Sequence, residues 1–571
     1  MNYRWAIAPP QSSLACSLAA DFQISPLLAQ CLVNRGVEMP DRVAAFLEPR
    51  LKNLADPFLL PNMDAAVARL VQARQAGESL VIFGDYDVDG VTSTAILLEF
   101  LSALGWKVDF YLPHRMEEGY GLSQEAVRNC LAKFPVSLLL AVDCGSSANE
   151  TIAQLKASGI DVIVLDHHQL STPAPPAHAL VNPHLANDAT LPFRELCSAG
   201  LAFKMAHALL KRGRREAWPK AESYDLRPLL DLVALGTIAD LVPLIGENRI
   251  LVAAGLERLN RTARPGLIAL RAVAQIARMI GVYEVGYQLA PRLNAAGRLE
   301  NAEHALQLLL AKAPAEAQAL AAELDGHNRE RQRIERGIAE QVIEALRQTW
   351  ENDRYVIVEG DLMWHVGVVG IVASRVLREF HRPTIIMGGD GESWRGSGRS
   401  IEGFDLAAAL KDCTDLLLRH GGHAMAAGLS MKPENLAALR TRLDELARTR
   451  LTPEQLKPVL RLDAAVPLQQ LTLDQIKELA RLEPSGQGNW PVHVAISKVR
   501  CARTPQRFGK GHLRFWITDG NCTLEAIRWN GSELSLPEGV FDVAAIPQLN
   551  EFRGSQSIQL KVLDWRAAST A

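Results

Sequence analysis

The sequence predicts a multidomain α/β protein: a parallel-sheet domain, a long connecting helix, a second α/β domain and a small C-terminal β-barrel. Three observations predict it. Between about residues 60 and 185, short aliphatic runs alternate with helical patterns; from Pro314 to Trp350 helix breakers are confined to Gly326 and Gly337; beyond about residue 455, short alternating strands with glycine turns take over. At 571 residues the chain is also too long for one hydrophobic core, and about three or four domains is the expectation at that length.

Residues 1–60 read as a helical segment that ends in Pro57 and Pro61. Four runs then read as strands: Leu80–Phe83, Val108–Leu112, Leu138–Val142 and Val162–Leu165. Each is a short β-branched or aliphatic run, and their spacing leaves room for crossover helices, which predicts a parallel sheet covered on both sides. The first α/β domain is placed at 61–312. Ile334, Ile338, Val342 and Leu346 recur every four residues and so share one helical face, placing a connecting helix at 313–352. The second α/β domain, at 353–454, has strand-like runs Tyr355–Val358 and Thr384–Met387. Alternation such as His512–Thr518 predicts the barrel at 455–571.

Composition bounds the function without choosing it. A net charge of −3 argues against a protein that coats nucleic acid indiscriminately, though it allows a local basic groove. The eight cysteines form no C-x-x-C pair, which fits reduced thiols, and Cys144 is expected to be an inert, half-buried one. No apolar run is long enough to span a bilayer, and the N-terminus lacks a basic-then-apolar leader, so a cytoplasmic location with no membrane partner is expected.

The chemistry gathers where the apolar runs of the first domain end. Gly84-Asp85-Tyr86-Asp87-Val88-Asp89-Gly90 follows the first run, Asp143 the third, Asp166-His167-His168 the fourth, and Asp240 a further run read as another strand. Ligands of open α/β sheets sit beyond the carboxyl ends of the strands, so all four segments should converge. Carboxylates so crowded need cations to neutralise them. Oxygen ligands with an imidazole suit two Mg²⁺ or Mn²⁺ ions, and such a pair implies hydrolysis at phosphorus. An EF-hand reading fails because Ile96 stands where a bidentate Glu is required. A lone strand-end Asp is usually a cap, but four ordered segments, one with Asp-His-His, point to a site.

These segments resemble the four ordered motifs of the DHH phosphoesterases, and the long Gly84–Gly90 form is similar to that of the RecJ branch. The resemblance implies that Asp87, Asp89, Asp143, His167 and Asp240 ligate metal, with Asp143 and Asp240 bridging. Asp143, Asp166 and His168 are then the catalytic set, His168 facing the scissile phosphate. Phe83 occupies a position where many members carry His; Asp85 is the candidate to compensate, and the choice among Asp85, Asp87 and Asp89 stays open.

Substrate-holding groups are read in the second domain. Gly421-Gly422-His423 opens a run of small residues whose amides could approach a phosphate, and Ser397-Gly398-Arg399-Ser400 adds an Arg fork and hydroxyls. Together with His365–Gly370 they resemble the DHHA1 substrate-binding domain, in which His423 would contact the nucleotide backbone. Pro291–Arg298 resembles a RecJ segment leading into the connecting helix, and Arg115, Arg298 and Arg399 are the candidates to read a 5′ end. Arg292 and Arg298 are equally readable as helix-surface salt bridges.

In the barrel, Lys498, Arg500, Arg503, Arg507, Lys510 and Arg514 run without an acidic residue, near Phe508, Phe515, Trp516 and Trp529. Basic grooves with aromatic platforms hold single strands on OB-folds; about half of these aromatics are expected in the core. Leu482–Asn489 resembles the linker motif before the RecJ OB-like domain, with Ser485 where Phe is usual. The implied activity is a single-stranded-DNA-specific 5′-to-3′ exonuclease that releases mononucleotides in recombination and repair, with a helicase and a single-strand-binding protein as expected partners. The competing readings are a DHH enzyme for short oligonucleotides or cyclic dinucleotides, disfavoured by the barrel, and a catalytically silent DNA-binding scaffold, disfavoured because every ligand residue is present.

Overall fold

The computed structural model describes residues 3–568 except 116, 187, 189, 300, 351–352, 390–391, 510 and 553. The two ends of the chain make one unit. β1 (Arg4–Ile7) pairs in parallel with Val459–Leu462, and helices Pro26–Asn34 and Pro40–Leu47 bury Leu28, Leu32 and Phe46 in the same core as Phe515 and Phe541 of the barrel. Pro26–Asn34 is apolar on nearly every face, so it must be enclosed, and its Pro occupies the first turn, where no amide hydrogen is needed. Among the described residues no single helix is long and apolar enough to cross a membrane.

The first domain holds a five-stranded parallel sheet. Its strands are β2 (Leu80–Gly84), β3 (Val108–Tyr111), β4 (Leu138–Val142), β5 (Asp161–Leu165) and β6 (Ala179–Val181), in the order β3-β2-β4-β5-β6. Alternate side chains serve different cores: Leu80 and Ile82 enter one cluster, Val81 and Phe83 another, as a sheet covered on both faces requires. Strand order reverses between β2 and β4, which opens a crevice beyond their carboxyl ends. Helices α1 (Val88–Ala103), α2 (Ser198–Arg215) and α3 (Leu230–Ala239) pack beside it. The run read as a strand before Asp240 is α3. It is buried all round, and a helix with no solvent face has no 3.6-residue periodicity to distinguish it from a buried strand.

α4 (Ala290–Leu299) leads to α5 (Pro314–Gln348), 35 residues and about 52 Å long. Ala317, Ala321 and Leu324 of α5 pack into the first domain, whereas Ile338, Val342 and Leu346, flanked by the partly buried Ile334, pack into the second. One rigid helix therefore joins both cores. The second domain orders its strands β10-β11-β9-β8-β7, with β7 (Ile357–Gly360), β8 (Thr384–Gly389), β9 (Trp394–Arg399), β10 (Arg419–His423) and β11 (Ala426–Met431); only β7 and β8 run parallel.

In the C-terminal unit β12 (Val459–Leu462) and β13 (Ala464–Ala465) precede a closed ring. β14 (Val494–Cys501), β18 (Val540–Phe552), β19 (Ser555–Ala567), β17 (Thr523–Arg528) and β16 (His512–Thr518) pair in that order, and β14 pairs with β16 to close it; β15 (Gln506–Phe508) flanks β16. Along β16 Leu513, Phe515 and Ile517 point inward and His512, Arg514 and Trp516 outward.

Candidate metal centre and substrate pocket

The turn after β2 is shaped by its own aspartates. Asp87 caps α1, its Oδ1 accepting from the amides of Asp89 (2.9 Å) and Gly90 (3.1 Å). A Cβ on Gly90 would lie 2.5 Å from the Asp85 carbonyl oxygen, so only glycine lets the turn close. Asp89 is buried against the start of α2, accepting from the amides of Ser198 (2.7 Å) and Ala199 (2.8 Å), where the helix dipole favours a carboxylate. Asp143, at the end of β4, holds a left-handed backbone (φ 64°) and accepts from Ser198 Oγ at 2.9 Å. Asp166, at the end of β5, accepts from the amides of His167, His168 and Ser146 and from His168 Nδ1 at 2.8 Å.

These elements bring the predicted residues together. His167 Nε2 lies 3.4 Å from Asp240, 3.5 Å from Asp143 and 3.8 Å from Asp89. Three overlapping sets have ligand atoms within 4.8 Å of one another: Asp89, His167 and Asp240; Asp143, His167 and His168; Asp85, Asp87 and Asp143. Asp240 joins them from the C-cap of α3. Buried atoms Asp85 Oδ1, Asp143 Oδ2, Asp240 Oδ2 and His167 Nε2 have no hydrogen-bond partner, a state that normally costs about 1–3 kcal/mol per group.

The electrostatics match that picture. Burial, then the neighbouring carboxylates, pushes Asp143 and Asp85 well above the usual carboxylate range, Asp240 to about 9 and Asp89 to about 6. Burial and the charge of His168 hold His167 down at about 4, leaving a free imidazole nitrogen as a metal ligand requires. His168 goes the other way: burial opposes its charge, but the Asp166 hydrogen bond outweighs burial and lifts it to about 9. For Asp166 itself burial is likewise outweighed, by His168 and its other donors, and it is held well below the ordinary range. Oxygen-rich donors, one neutral imidazole and orphaned buried atoms fit divalent cations.

Beside this cluster lies a cavity of about 290 Å³, lined by Asp85, Asp87, Asp89 and Asp240 on one side and by Arg115, Asn294 and Arg298 on another. Arg115 stacks over Tyr86 at 5.1 Å. Arg298 donates to the Gly367 carbonyl of the second domain; Arg399 donates to Ser397 Oγ and the Gly398 carbonyl. Burial and then the charge of Arg115 lower both Arg298, to about 10, and Arg399, so Arg115 stands close enough to repel each of them, and such a concentration of positive charge suits an anion. Arg292 is a salt bridge to Asp325 (2.9 Å).

Other expected residues stand apart. Gly421, Gly422 and His423 are exposed on β10, the edge strand of the second sheet, and do not line the cavity. Cys144 is fully buried, not half-buried, and burial with Asp166 and Asp85 keeps its thiol protonated. In the barrel only Phe515 of the four aromatics is fully buried; Phe508, His512 and Trp529 pack edge to face, with Arg514 over Phe508 and Arg503 over Trp516. β15 lies outside the ring and Trp529 just beyond β17, so neither aromatic had a core to enter. Lys510 lies outside the described residues. Sequence reasoning missed Ser198, whose amide and hydroxyl hold Asp89 and Asp143, and Tyr120, whose hydroxyl lies 3.3 Å from His168 Nε2. A helix-starting Ser after Cys197 was the available signal for the first; a tyrosine between two glycines gave none.

Comparison with known proteins identifies three of these regions. Residues 79–237 match the DHH family, N-terminal domain; 352–449 the DHHA1 domain; and 462–564 the RecJ OB domain. The chain is 38% identical over 571 residues to the single-stranded-DNA-specific exonuclease RecJ of Bacillus subtilis, covering 98% of this chain and 70% of that protein. It is 37% identical to the protein of that name from Escherichia coli, covering 94% and 95% respectively. The crystal structure of RecJ in complex with Mn²⁺ from Thermus thermophilus superposes with a TM-score of 0.84 at 32% identity, covering all of this chain and 80% of that one. The corresponding Mg²⁺ complex gives a TM-score of 0.78 at 31% identity, with 100% and 79% covered.

Proposed function

The chain belongs to the RecJ family of DHH phosphoesterases, and from that premise we propose that it is a metal-dependent, single-stranded-DNA-specific exonuclease that works from the 5′ end and releases mononucleotides. The observation that carries the reading is the buried cluster of carboxylates and His167 with orphaned atoms, opening on a cavity whose other wall is Arg115 and Arg298. In this reading Asp87, Asp89, Asp143, His167 and Asp240, with Asp85, hold two Mn²⁺ or Mg²⁺ ions. When bound, such ions supply the Lewis acidity that polarises a phosphoryl group and makes water a nucleophile at neutral pH.

The rest is the work of this chain's residues. Arg115, Arg298 and Arg399, with Ser397, bind a terminal phosphate and so set which end enters. His168, oriented by Asp166 and Tyr120, presents a donor to a phosphate oxygen. Gly421, Gly422 and His423 contact the substrate backbone from the exposed edge of the second sheet. Residues 61–312 are the catalytic domain, 313–352 the connecting helix, 353–454 the DHHA1 domain and 455–571, with the N-terminal helices packed on it, the OB-like unit. The barrel's basic and aromatic outer face holds the strand without reading its sequence. Action in cytoplasmic recombination and repair beside a helicase and a single-strand-binding protein belongs to the same proposal.

The test uses 5′- and 3′-labelled single strands and duplexes with Mn²⁺, Mg²⁺ or EDTA. Metal-dependent release of labelled mononucleotide from the 5′ end of single strands alone is expected. Binding without cleavage in every metal would overturn the proposal.

A further inference from the structure

Two tyrosines on the segment leading into the cavity have no part in the site described so far. Tyr283 and Tyr287 are 62% and 68% exposed, yet their rings stack with centroids 4.9 Å apart and planes 28° from parallel. Rings of that size are ordinarily buried, and an exposed aromatic pair marks a contact surface. Tyr287 sits in a π-helical turn, Val285–Leu289, that runs directly into α4. Such turns are rare overall and frequent at functional sites.

Two helices, α3 and α4, connect the pair to the cavity. α4 carries Asn294, Gly297 and Arg298, all of which line it. Tyr287 precedes Asn294 by seven residues on the continuous run from the π-helical turn into α4. α3, which ends at Asp240, packs against the turn: a Cβ on Gly286 would lie 3.8 Å from Ile238 Cγ2. Leu241, next after Asp240, is 71% exposed with a left-handed backbone (φ 62°), a conformation unfavourable for leucine by about 1–2 kcal/mol. Strain of this kind clusters at functional sites. On the far side Tyr283 lines a groove of about 830 Å³ with Arg278, Lys477, Gln548 and Leu549, the last two on β18 of the barrel. Leu241, Tyr287 and Tyr283 thus lie between the carboxylates and the barrel, where Arg278 and Lys477 share the groove with Glu284 and Glu483.

We propose that Tyr283 and Tyr287 form a base-stacking platform that grips a single strand on the 3′ side of the bond being cut, between the metal centre and the barrel. The proposal rests on the nuclease reading and adds where the strand runs. Stacking suits an enzyme that must accept any base in turn, because every base offers a π-face. A duplex keeps its bases paired and offers no free face, so the platform also favours single strands.

The experiment compares the double variant Tyr283→Ala/Tyr287→Ala with Tyr283→Phe/Tyr287→Phe, which keeps the rings. On long single strands the alanine pair should raise KM about ten-fold with little change in kcat, the rise fading on dinucleotides too short to reach the platform; the phenylalanine pair should retain the parent KM. 2-Aminopurine placed successively from the 5′ end of a strand bound to Asp143→Asn protein should be quenched at one or two positions, and the alanine pair should abolish that quenching. Equal losses on dinucleotides and long strands, or no change in KM and quenching, would overturn the proposal, the second outcome leaving the patch to a protein partner. If the parent chain cleaved no strand at all, the nuclease reading would fall, while the quenching would still decide whether the tyrosines hold bases.

Discussion

The metal centre and the joint around Arg249 both bury charge, and they treat it in opposite ways. Arg249 is 2% exposed and reaches from the helix Gly246–Asn260 of the first domain into the linker before the barrel. Its five N–H donors meet five carbonyls: Phe46, Arg481, Leu482, Glu483 and Pro484. Its guanidinium also lies 4.0 Å from the Phe46 ring centroid. Nearby, Lys204 and Glu247 form a fully buried ion pair at 2.9 Å that also binds the Ala55 backbone. At the metal centre, by contrast, carboxylate atoms are buried with like charges and left unpaired. Glu247 Oε2 also lacks a hydrogen-bond partner, so the difference lies in the neighbours: charge buried against opposite charge or carbonyls is structural, whereas carboxylates buried against one another are kept for a ligand.

The sharpest way to break that contrast is Asp143→Asn, which keeps the shape and tolerates the left-handed backbone. Activity should fall about 10⁴-fold, equivalent to about 5.5 kcal/mol. Stability in EDTA should hold or rise, because burial and the neighbouring aspartates already disfavour the charge being removed. Mn²⁺ should stabilise the parent protein against urea by about 2.7 kcal/mol at a hundred times Kd, and the variant much less. A variant that unfolded more readily in EDTA would mean that Asp143 is a structural residue.

Arg249→Met should do the reverse. Leaving five buried carbonyls without donors should cost about 3–4 kcal/mol in urea denaturation, with Arg249→Lys recovering part of it through its three donors. Cleavage of dinucleotides per folded molecule should fall far less than with Asp143→Asn. An unchanged urea midpoint would show that water replaces the guanidinium and that the joint is loose.

Much of the metal centre was legible in sequence because strand ends announce themselves: aliphatic runs such as Leu138–Val142 stop at an acidic residue, and the fold class fixes where strand ends meet. Asp240 was found for the right convergence but on the wrong element, since α3 has no polar face to reveal a helix. The joint was not legible at all. Arg249 lies in a helix with charged neighbours Glu247 and Glu257, the ordinary signature of a solvated face, and its five partners lie two hundred or more residues away in sequence. Tyr283 and Tyr287 were not singled out in the sequence; only their exposure distinguishes them.

The smallest predicted effect separates the two regions by pH. His207, on α2 one turn from Lys204, is held down at about 4 by burial and then by Lys204 and Lys211; Arg214 adds to this and Asp56 opposes it. Its folded pKa lies below its unfolded value, so between them the unfolded chain binds the proton and the folded chain does not. The joint is therefore at full strength above about pH 6.5 and loses stability as pH falls toward 4. After discounting for solvent screening the loss should be on the order of 1 kcal/mol. His207→Gln cannot take up that proton and should flatten this part of the profile. The comparison is best made in EDTA, taking the difference between variant and parent at each pH, since the metal centre is common to both and cancels. A difference that stays constant with pH would place the acid sensitivity outside the joint; one that shifts in the variant's favour as pH falls from about 6.5 toward 4 would assign it to the neutral histidine that the joint keeps beside its lysines.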